Sequence, residues 1–243
     1  MKVIEVRGLQ KRYGRHVAVE DVSFSVSAGE LVALIGHNGA GKSTTLKALT
    51  GQLQPSAGEV HVAGVNVLQD PGEARRRFGY VPEDPQLYDY LTAREMLELV
   101  VEVRGQGDIA ATLAAVGLQD DADRLIREYS QGMRRKAALA AAMVSKPQVL
   151  ILDEALNGLD PPSAARVKAH LRALAEGGAA VLLSTHVLET VEKIADRVVM
   201  LARGRVVADH SVSEIGEEGL ERLFLSRIGE SLGEGEASRP IDQ

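Results

Sequence analysis

The stretch that most constrains how this chain folds is GHNGAGKST, at residues 36–44. It follows the continuous apolar run LVALI and leads into the helix-like segment TTLKALTGQL. Glycines leave backbone N–H groups free to surround a phosphate, and the N-terminus of the following helix adds partial positive charge at the same point. The stretch fits G-x-x-x-x-G-K-[ST], so it predicts a buried strand, a phosphate-binding loop and a helix in that order.

The residues of this loop divide the work of holding a nucleoside triphosphate. Lys42 is expected to bring a full positive charge to the β- and γ-phosphates, and the Ser43 hydroxyl is a candidate ligand for Mg²⁺. The other candidate phosphate-binding residues are Gly36, Asn38, Gly39, Gly41 and Thr44.

The hydrophobic pattern around the loop predicts an α/β fold. Continuous apolar runs, typical of strands buried on both faces of a parallel sheet, occur at 31–35, 149–152, 179–183 and 198–201. Alternating runs, typical of half-exposed antiparallel strands, occur at 3–9, 17–26 and 60–67.

Helix signals lie between the buried runs. A capping box at Thr92 and Glu95 predicts a helix that continues through Val103, and a second helix is predicted from Asp108 to Gly117. We therefore predict a P-loop domain over residues 1–220, with a mostly parallel core sheet, an antiparallel β subdomain and a helical subdomain inserted at about 84–147. Residues 221–243 are predicted to be an acidic, partly disordered tail, with the disorder beginning at 229.

Composition narrows the cellular setting. The chain contains no cysteine, its longest apolar run is far shorter than the ~20 residues needed to cross a bilayer, and its N-terminus lacks the pattern of a signal peptide. These features predict a cytoplasmic protein that does not span a membrane itself.

The charge distribution argues against a nucleic-acid partner. The net charge is −6, and residues 207–243 alone contain 3 Lys or Arg and 9 Asp or Glu, so the body of the chain is neutral. A surface that follows nucleic-acid phosphates needs an excess of basic residues. The runs Arg75-Arg76-Arg77 and Arg134-Arg135-Lys136 are interpreted as solvated helix faces.

A second acidic element follows the apolar run at 149–152. Asp153 is placed to hold Mg²⁺, directly or through water, and Glu154 lies beyond it, where it could polarise a water that attacks the γ-phosphate.

Together with these motifs, the segment YSQGM at 129–133 resembles the LSGGQ signature of ATP-binding subunits of ATP-binding cassette (ABC) transporters. Ser130 and Gly132 match that signature, and its other three positions differ. The resemblance covers roughly residues 2–215. It implies that Ser130 and Gly132 contact the γ-phosphate held by another subunit, and hence that two subunits form a dimer around two ATP molecules.

Other matches to the family follow in order along the chain. Tyr13 resembles the aromatic residue that stacks on adenine, and residues 157–160 resemble the D-loop that crosses the dimer interface. Asp160, directly before a proline, also has the form of a helix N-cap. His186, just after an apolar run, resembles the switch histidine that reaches the γ-phosphate, and among the six histidines it alone has a positional argument.

One position departs from the family in a way that bears on chemistry. After Gly79-Tyr80-Val81-Pro82, the family has a glutamine that senses Mg²⁺ and water, whereas this chain has Glu83. Glu83 is a candidate Mg²⁺ ligand, and Gln86 is an alternative sensor.

The resemblance implies an ATPase subunit in which Glu154, His186 and Lys42 are catalytic. Hydrolysis would power transport, in the export direction, through a separate permease that docks at residues 85–92. Within the family, the chain most resembles the ATP-binding subunits of ABC-2 or multidrug exporters and of copper-maturation systems. The resemblance also implies a homodimer at the inner face of the cell membrane. Alternatives are a soluble ABC-type ATPase acting in assembly or maturation of another protein, and a nucleotide-binding regulator without hydrolysis.

Overall fold

A single sheet organises the structure, a computed structural model that describes residues 1–215 and 219–236, the last nine of these by backbone only. Within the described residues the strands are β1 (Lys2–Tyr13), β2 (His16–Ser27), β3 (Leu31–Ile35), β4 (Ala57–Val62), β5 (Val65–Asn66), β6 (Phe78–Val81), β7 (Val149–Asp153), β8 (Ala180–Ser184), β9 (Arg197–Ala202) and β10 (Arg205–Ser211). The helices are α1 (Lys42–Leu49), α2 (Pro71–Arg77), α3 (Ala93–Arg104), α4 (Ile109–Val116), α5 (Gln131–Met143), α6 (Pro161–Glu176), α7 (Leu188–Ile194) and α8 (Gly219–Glu236).

The sheet has an antiparallel half and a parallel half. Its strand order is β5-β4-β1-β2-β10-β9-β3-β8-β7-β6. Strands β9, β3, β8, β7 and β6 run parallel to one another, and β5, β4, β1 and β2 are antiparallel. Because β3, β7 and β8 are parallel neighbours, their carboxyl ends meet at one edge, and the predicted site residues follow those ends.

The predicted buried strands are confirmed, and their burial explains why their sequences are continuously apolar. In β7, Leu150 and Leu152 pack into the core beneath the helices α3 to α6, while Val149 and Ile151 pack into a second core that contains α1 and the antiparallel strands. Successive side chains of a strand point to opposite faces, so a strand between two cores is apolar until its carboxyl end, where Asp153 and Ser184 lie.

The helix signals are also confirmed. Thr92 and Glu95 form both hydrogen bonds of a capping box at the start of α3. Asp108 caps α4, whose C-cap is Gly117 in the left-handed conformation. Helices α3, α4 and α5 lie between β6 and β7 in the chain, where the sequence predicts a helical insertion.

Two sequence predictions need correction. The segment 60–67 is not one strand, because Ala63 and Gly64 adopt positive φ and fold it into a hairpin between β4 and β5. The predicted disorder from residue 229 is wrong for 229–236, which lie in α8, and residues 237–243 are outside the described part of the chain.

No helix among the described residues combines the length and apolarity that crossing a membrane would require.

Candidate nucleotide-binding site

The phosphate-binding loop joins β3 to α1 with a geometry that requires its glycines. Gly41 is the N-cap of α1 with φ 104°, and a methyl group there would lie 2.8 Å from the carbonyl oxygen of Ala18. At Gly36 a methyl group would overlap the carbonyl oxygen of Leu201. Both positions therefore exclude a side chain, because the loop packs directly against the backbone of β2 and β9.

The cavity beside this loop measures ≈ 350 Å³, which lies within the range of roughly 300–1,000 Å³ that is common for small-molecule sites. Its lining includes most of the loop residues that the sequence predicts, together with acidic residues from two other loops. The full lining is His16, Ala18, His37, Asn38, Gly39, Ala40, Gly41, Lys42, Ser43, Thr44, Glu83 and Glu154.

Glu154, directly after β7, is the most tightly held polar group at this cavity. Its backbone has φ 50°, which is unusual for a residue with a side chain, and its N–H donates to the carbonyl of Ser184 at the end of β8. Oε2 accepts from Asn157 Nδ2 at 2.9 Å and lies 3.1 Å from His186 Nδ1. Oε1 lies 4.0 Å from Nζ of Lys42, which also donates to the carbonyl of Gly36 at 2.7 Å.

Asp153, the last residue of β7, is buried with an unsatisfied oxygen. Oδ1 has no hydrogen-bond partner among the described residues. Burial raises the pKa of this carboxyl, the hydroxyls of Ser184 and Ser43 act in the opposite direction, and the charges of Glu83 and Glu154 raise it further. A buried carboxylate with a free oxygen beside the Ser43 hydroxyl is the donor set that suits Mg²⁺, because a bound cation would compensate the buried charge.

Glu83 and Gln86, the two candidates for the residue that senses Mg²⁺ and water, lie in different places. Glu83 lines the cavity beside Lys42 and Ser43, whereas Gln86 lines a different groove and donates to Asp84 Oδ2 at 3.1 Å. Among these two, it is Glu83 that lies beside the phosphate-binding loop.

Ser130, Gly132 and Asp160 do not line the cavity of their own chain. Ser130 is exposed and caps α5 by accepting from the N–H of Met133 at 3.3 Å. Asp160 caps α6 by accepting from the N–H of Ser163 at 2.9 Å, as the sequence predicts. A methyl group on Gly132 would lie 3.4 Å from the carbonyl oxygen of Gly158, so the signature-like segment and the D-loop are adjacent.

The aromatic and histidine side chains are placed differently from the sequence interpretation. Tyr13 is half-exposed, with the ammonium of Lys11 5.0 Å from its ring centre, and it does not line the cavity. His16 and His37 line it, whereas His186 does not line it and lies beside it through its contact with Glu154. The positions of His16 and His37 in the sequence could have identified them as site residues, because His37 lies inside the loop motif and His16 begins the strand after the turn at Gly14.

Arg135 of α5 joins two loops of the site, although the sequence interpretation treats its run as a solvated helix face. Its guanidinium donates to the carbonyl oxygens of Glu83 at 2.7 Å, of Glu154 at 3.4 Å and of Asn157. These are the loops after β6 and β7 that carry the acidic groups of the cavity. Arg135 therefore connects the helix of the signature-like segment to the positions of Glu83 and Glu154.

An apolar groove lies next to the site, on the side of the helical insertion. It measures ≈ 400 Å³ and is lined by Gly79, Tyr80, Pro82, Pro85, Gln86, Leu87, Tyr88, Met96, Leu99, Val100, Val103, Arg104, Ala138, Ala141 and Ala142. Burial and the negative charge of Asp153 raise the pKa of Tyr80 to about 12. Tyr80 therefore lies between the groove and the carboxylate that ends β7.

A phosphate-binding loop, two acidic residues after a buried strand and a histidine after the neighbouring strand define a P-loop ATPase. The sequence matches the family described as ABC transporter over residues 19–157, and the chain belongs to this family. It is the ATP-binding, ATP-hydrolysing subunit of an ABC transporter.

Individual relatives agree with this assignment. The chain is 37% identical over 236 residues to the uncharacterized ABC transporter ATP-binding protein YxlF of Bacillus subtilis, covering 95% of this chain and 78% of that protein. It is 34% identical over 244 residues to the daunorubicin/doxorubicin resistance ATP-binding protein DrrA of Streptomyces peucetius, covering 98% and 74%. A solved ATP-binding subunit of an ABC transporter superposes with a TM-score of 0.87 at 34% identity, covering 93% of this chain and 99% of that one.

Proposed function

We propose that this chain powers export of a small molecule through a separate membrane permease by hydrolysing ATP at a site completed by a second copy of itself. Support for export comes from the names of relatives, which include a daunorubicin/doxorubicin resistance protein and a Nod factor export protein of Burkholderia orbicola. The observation that carries the hydrolytic mechanism is the Glu154 carboxylate, held at the cavity by Lys42, Asn157 and His186.

The contacts of Glu154 assign a role to each neighbour. A carboxylate fixed by Asn157 beside the phosphate-binding loop is suited to orient a water and accept its proton. Lys42 supplies positive charge to the β- and γ-phosphates, and His186 stabilises charge that develops on the transferring group. Because His186 and Lys42 contact the two oxygens of the same carboxylate, we infer that they report the state of the γ-phosphate to Glu154.

Mg²⁺ would be held by Ser43 and Asp153, with Glu83 facing the same cavity. The ion would neutralise phosphate charge while the γ-phosphoryl group is transferred. Tyr13 is proposed as the residue that stacks on adenine, from the edge of the cavity, and Gly36, Asn38, Gly39, Gly41 and Thr44 as the remaining phosphate-binding residues.

The position of the signature-like segment supports a dimer. Ser130 and Gly132 lie at the exposed N-terminus of α5, which can donate backbone N–H groups to an anion, yet the cavity of the same chain does not include them. A second copy related by a two-fold axis would bring its Ser130, Gly132 and Asp160 to this chain's nucleotide.

The apolar groove is proposed as the docking site of the permease. Leu99 is 43% exposed, Val103 77% and Tyr88 65%, so an apolar surface faces outward beside the segment 85–92 that the sequence predicts for docking. Leu87 and Leu91 of the same segment pack against the core, so they hold the segment on the body of the protein. Docking there would hold the chain on the inner face of the cell membrane.

The test of the hydrolytic role is Glu154→Gln. Replacing the carboxylate by an amide retains the shape and removes the base, so the ATPase rate should fall by roughly 10²–10⁴-fold. The rate is measured as steady-state phosphate release. Equilibrium binding of a fluorescent ATP analogue is measured in parallel, and this binding should be retained.

The control is Glu98→Gln, an exposed carboxylate of α3 outside the cavity, which should leave the rate unchanged. A wild-type rate for Glu154→Gln would remove Glu154 from the mechanism.

A further inference from the structure

Basic side chains from three separate parts of the chain converge on one cleft that the ATPase mechanism does not use. The cleft measures ≈ 320 Å³, and Arg76, Arg77, Arg104 and Lys146 line it together with a single carboxylate, Glu73. Two of these arginines belong to the run at 75–77 that the sequence interpretation treats as a solvated helix face. The Arg76 side chain is indeed 80% exposed, and the tertiary structure places it and Arg77 beside residues 104 and 146.

The positive charge in this cleft is only partly compensated. Glu73 pairs with Arg77 at 2.6 Å and lies 3.6 Å from Arg76, so two arginines share its one charge. Arg104 donates to the carbonyl oxygens of Arg76 at 2.7 Å and Phe78 at 2.9 Å, which fix its position without neutralising it. Among the residues that line the cleft, Arg104 and Lys146 have no carboxylate partner, so an anion in the cleft would meet uncompensated positive charge.

The cleft is continuous with the apolar groove. Arg104 is the last residue of α3 and lines both cavities, and the groove is lined by the preceding turn of the same helix at Leu99, Val100 and Val103. If the groove receives the permease, the cleft beside it lies on the side of the molecule that faces the membrane.

The shape and surroundings of the cleft favour a lipid headgroup over other polyanions. The rest of the chain has no excess positive charge that could follow a nucleic-acid backbone, and the volume suits one headgroup. Val103, directly before Arg104, is 77% exposed, so a short apolar edge adjoins the cations as in surfaces that rest on the membrane interface.

We propose that the basic cleft formed by Arg76, Arg77, Arg104 and Lys146 binds the phosphate of an anionic phospholipid headgroup in the membrane that contains the permease. This inference rests on the proposed function, because that function sets which side of the chain faces the membrane. Basic residues near an anionic bilayer are attracted to its surface, so the contact would orient the subunit and add to its attachment through the permease.

The test is flotation of the purified chain with lipid vesicles in the absence of any permease. Vesicles of phosphatidylcholine alone are compared with vesicles that contain about 30% phosphatidylglycerol, and the wild-type chain should float several-fold more with the second kind. About 0.5 M NaCl should abolish the difference, because salt screens the exposed charges.

The variant is Arg76→Gln with Lys146→Gln, which keeps Arg77 as the partner of Glu73 and leaves Arg104 of the groove unchanged. It should lose most of the preference for anionic vesicles and retain the ATPase rate, because neither residue lines the nucleotide cavity or the groove. The matched control removes two exposed charges elsewhere, at Arg124 and Lys193, and should keep the preference.

The outcomes separate this inference from the proposed function. Equal flotation with both vesicle types, or equal loss in the control variant, overturns the lipid site and leaves the permease partnership intact. Wild-type flotation that millimolar inorganic phosphate removes, together with saturable binding of phosphate alone, would identify the cleft as a site for free phosphate and overturn the lipid source. Co-purification of a membrane protein, and its loss in Val103→Asp, tests the permease separately.

Discussion

The phosphate-binding loop and the signature-like segment are both helix N-termini with small residues, but their surroundings are opposite. At α1, Lys42 is buried and the loop lines a cavity that acidic groups from two other strands also reach. At α5, Ser130 is exposed on a surface, and its described hydrogen bond is the cap of its own helix. The first segment lines the nucleotide-sized cavity, whereas Ser130 and Gly132 of the second lie outside it.

Under the proposed dimer, this difference means that one chain contains both motifs but only part of each complete site. Buried Lys42 and Glu154 compensate each other's charge beside one loop. At the exposed N-terminus of α5, water can satisfy the backbone N–H groups when the chain is on its own. We therefore interpret each chain as carrying two unequal halves, of which the concave half is built to bind ATP and the exposed half to close it.

The largest expected effect comes from separating the two halves genetically. Lys42→Ala damages the concave half, and Ser130→Asp damages the donor half by placing a carboxylate towards the phosphate while keeping a good helix cap. Each variant alone should be nearly inactive. Co-expressed with different tags, the pair should regain about a quarter of the wild-type ATPase rate, because half of the dimers are mixed and each contains one intact site.

The control for this experiment is each variant mixed with itself, with the melting temperature of Ser130→Asp measured in parallel. No regained activity from a mixture shown to contain mixed dimers would mean that Ser130 does not act across the interface.

An intermediate effect is expected for the residue that connects the two halves. Arg135→Lys keeps the charge but cannot reach three carbonyl oxygens at once, so Glu83 and Glu154 should lose their fixed positions. Loss of one or two hydrogen bonds, each worth about 1 kcal/mol, should lower kcat about ten-fold with little change in KM for ATP.

The neighbouring Arg134→Lys is the control, because Arg134 contacts Asp89 and Ile126 instead. A purely structural role for Arg135 would lower the melting temperature and leave kcat of the folded fraction unchanged, which would contradict positioning.

The smallest expected effect concerns stability in the absence of nucleotide. Burial raises the pKa of Asp153, so the folded chain binds a proton there more tightly than the unfolded chain does. The contribution of this group to stability therefore falls as pH rises from its ordinary pKa through the raised value, and stays low at neutral pH. Asp153→Asn removes the buried charge and should raise the melting temperature by roughly 1–3 °C at pH 7 while it weakens Mg²⁺-dependent hydrolysis.

Thermal unfolding with and without Mg-ATP checks this prediction, and Asp120→Asn, an exposed carboxylate, should leave the melting temperature unchanged. A lower melting temperature for Asp153→Asn would show that the ionised group stabilises the chain.

Sequence patterns predicted the elements whose environment is uniform along their length. The run LVALI predicted β3 because both of its faces are buried, and the capping box at Thr92 predicted the first turn of α3 because its hydrogen bonds are local. The hairpin of β4 and β5 was missed because a left-handed Ala63 gives a weak signal. Strand β10 was not identified, since its pairing with β9 and its single link to β2 depend on contacts distant in the chain.

The residues of the site also differ in whether local sequence or distant contacts determine their role. The loop, Asp153, Glu154 and His186 were identifiable because each follows a strand signal directly. Arg135 was not, because its partners are backbone carbonyl oxygens, which no sequence pattern marks.

By itself, the sequence determined that a triphosphate is held by a glycine-rich loop between a buried strand and a helix, since that geometry needs only local residue types. Only the tertiary structure decided which distant groups share the site, that Ser130 faces away from it, and that residues 76, 104 and 146 form one basic cleft. The physical reason is that hydrogen bonds and charges act over a few ångströms in space, and the fold alone sets which residues come that close.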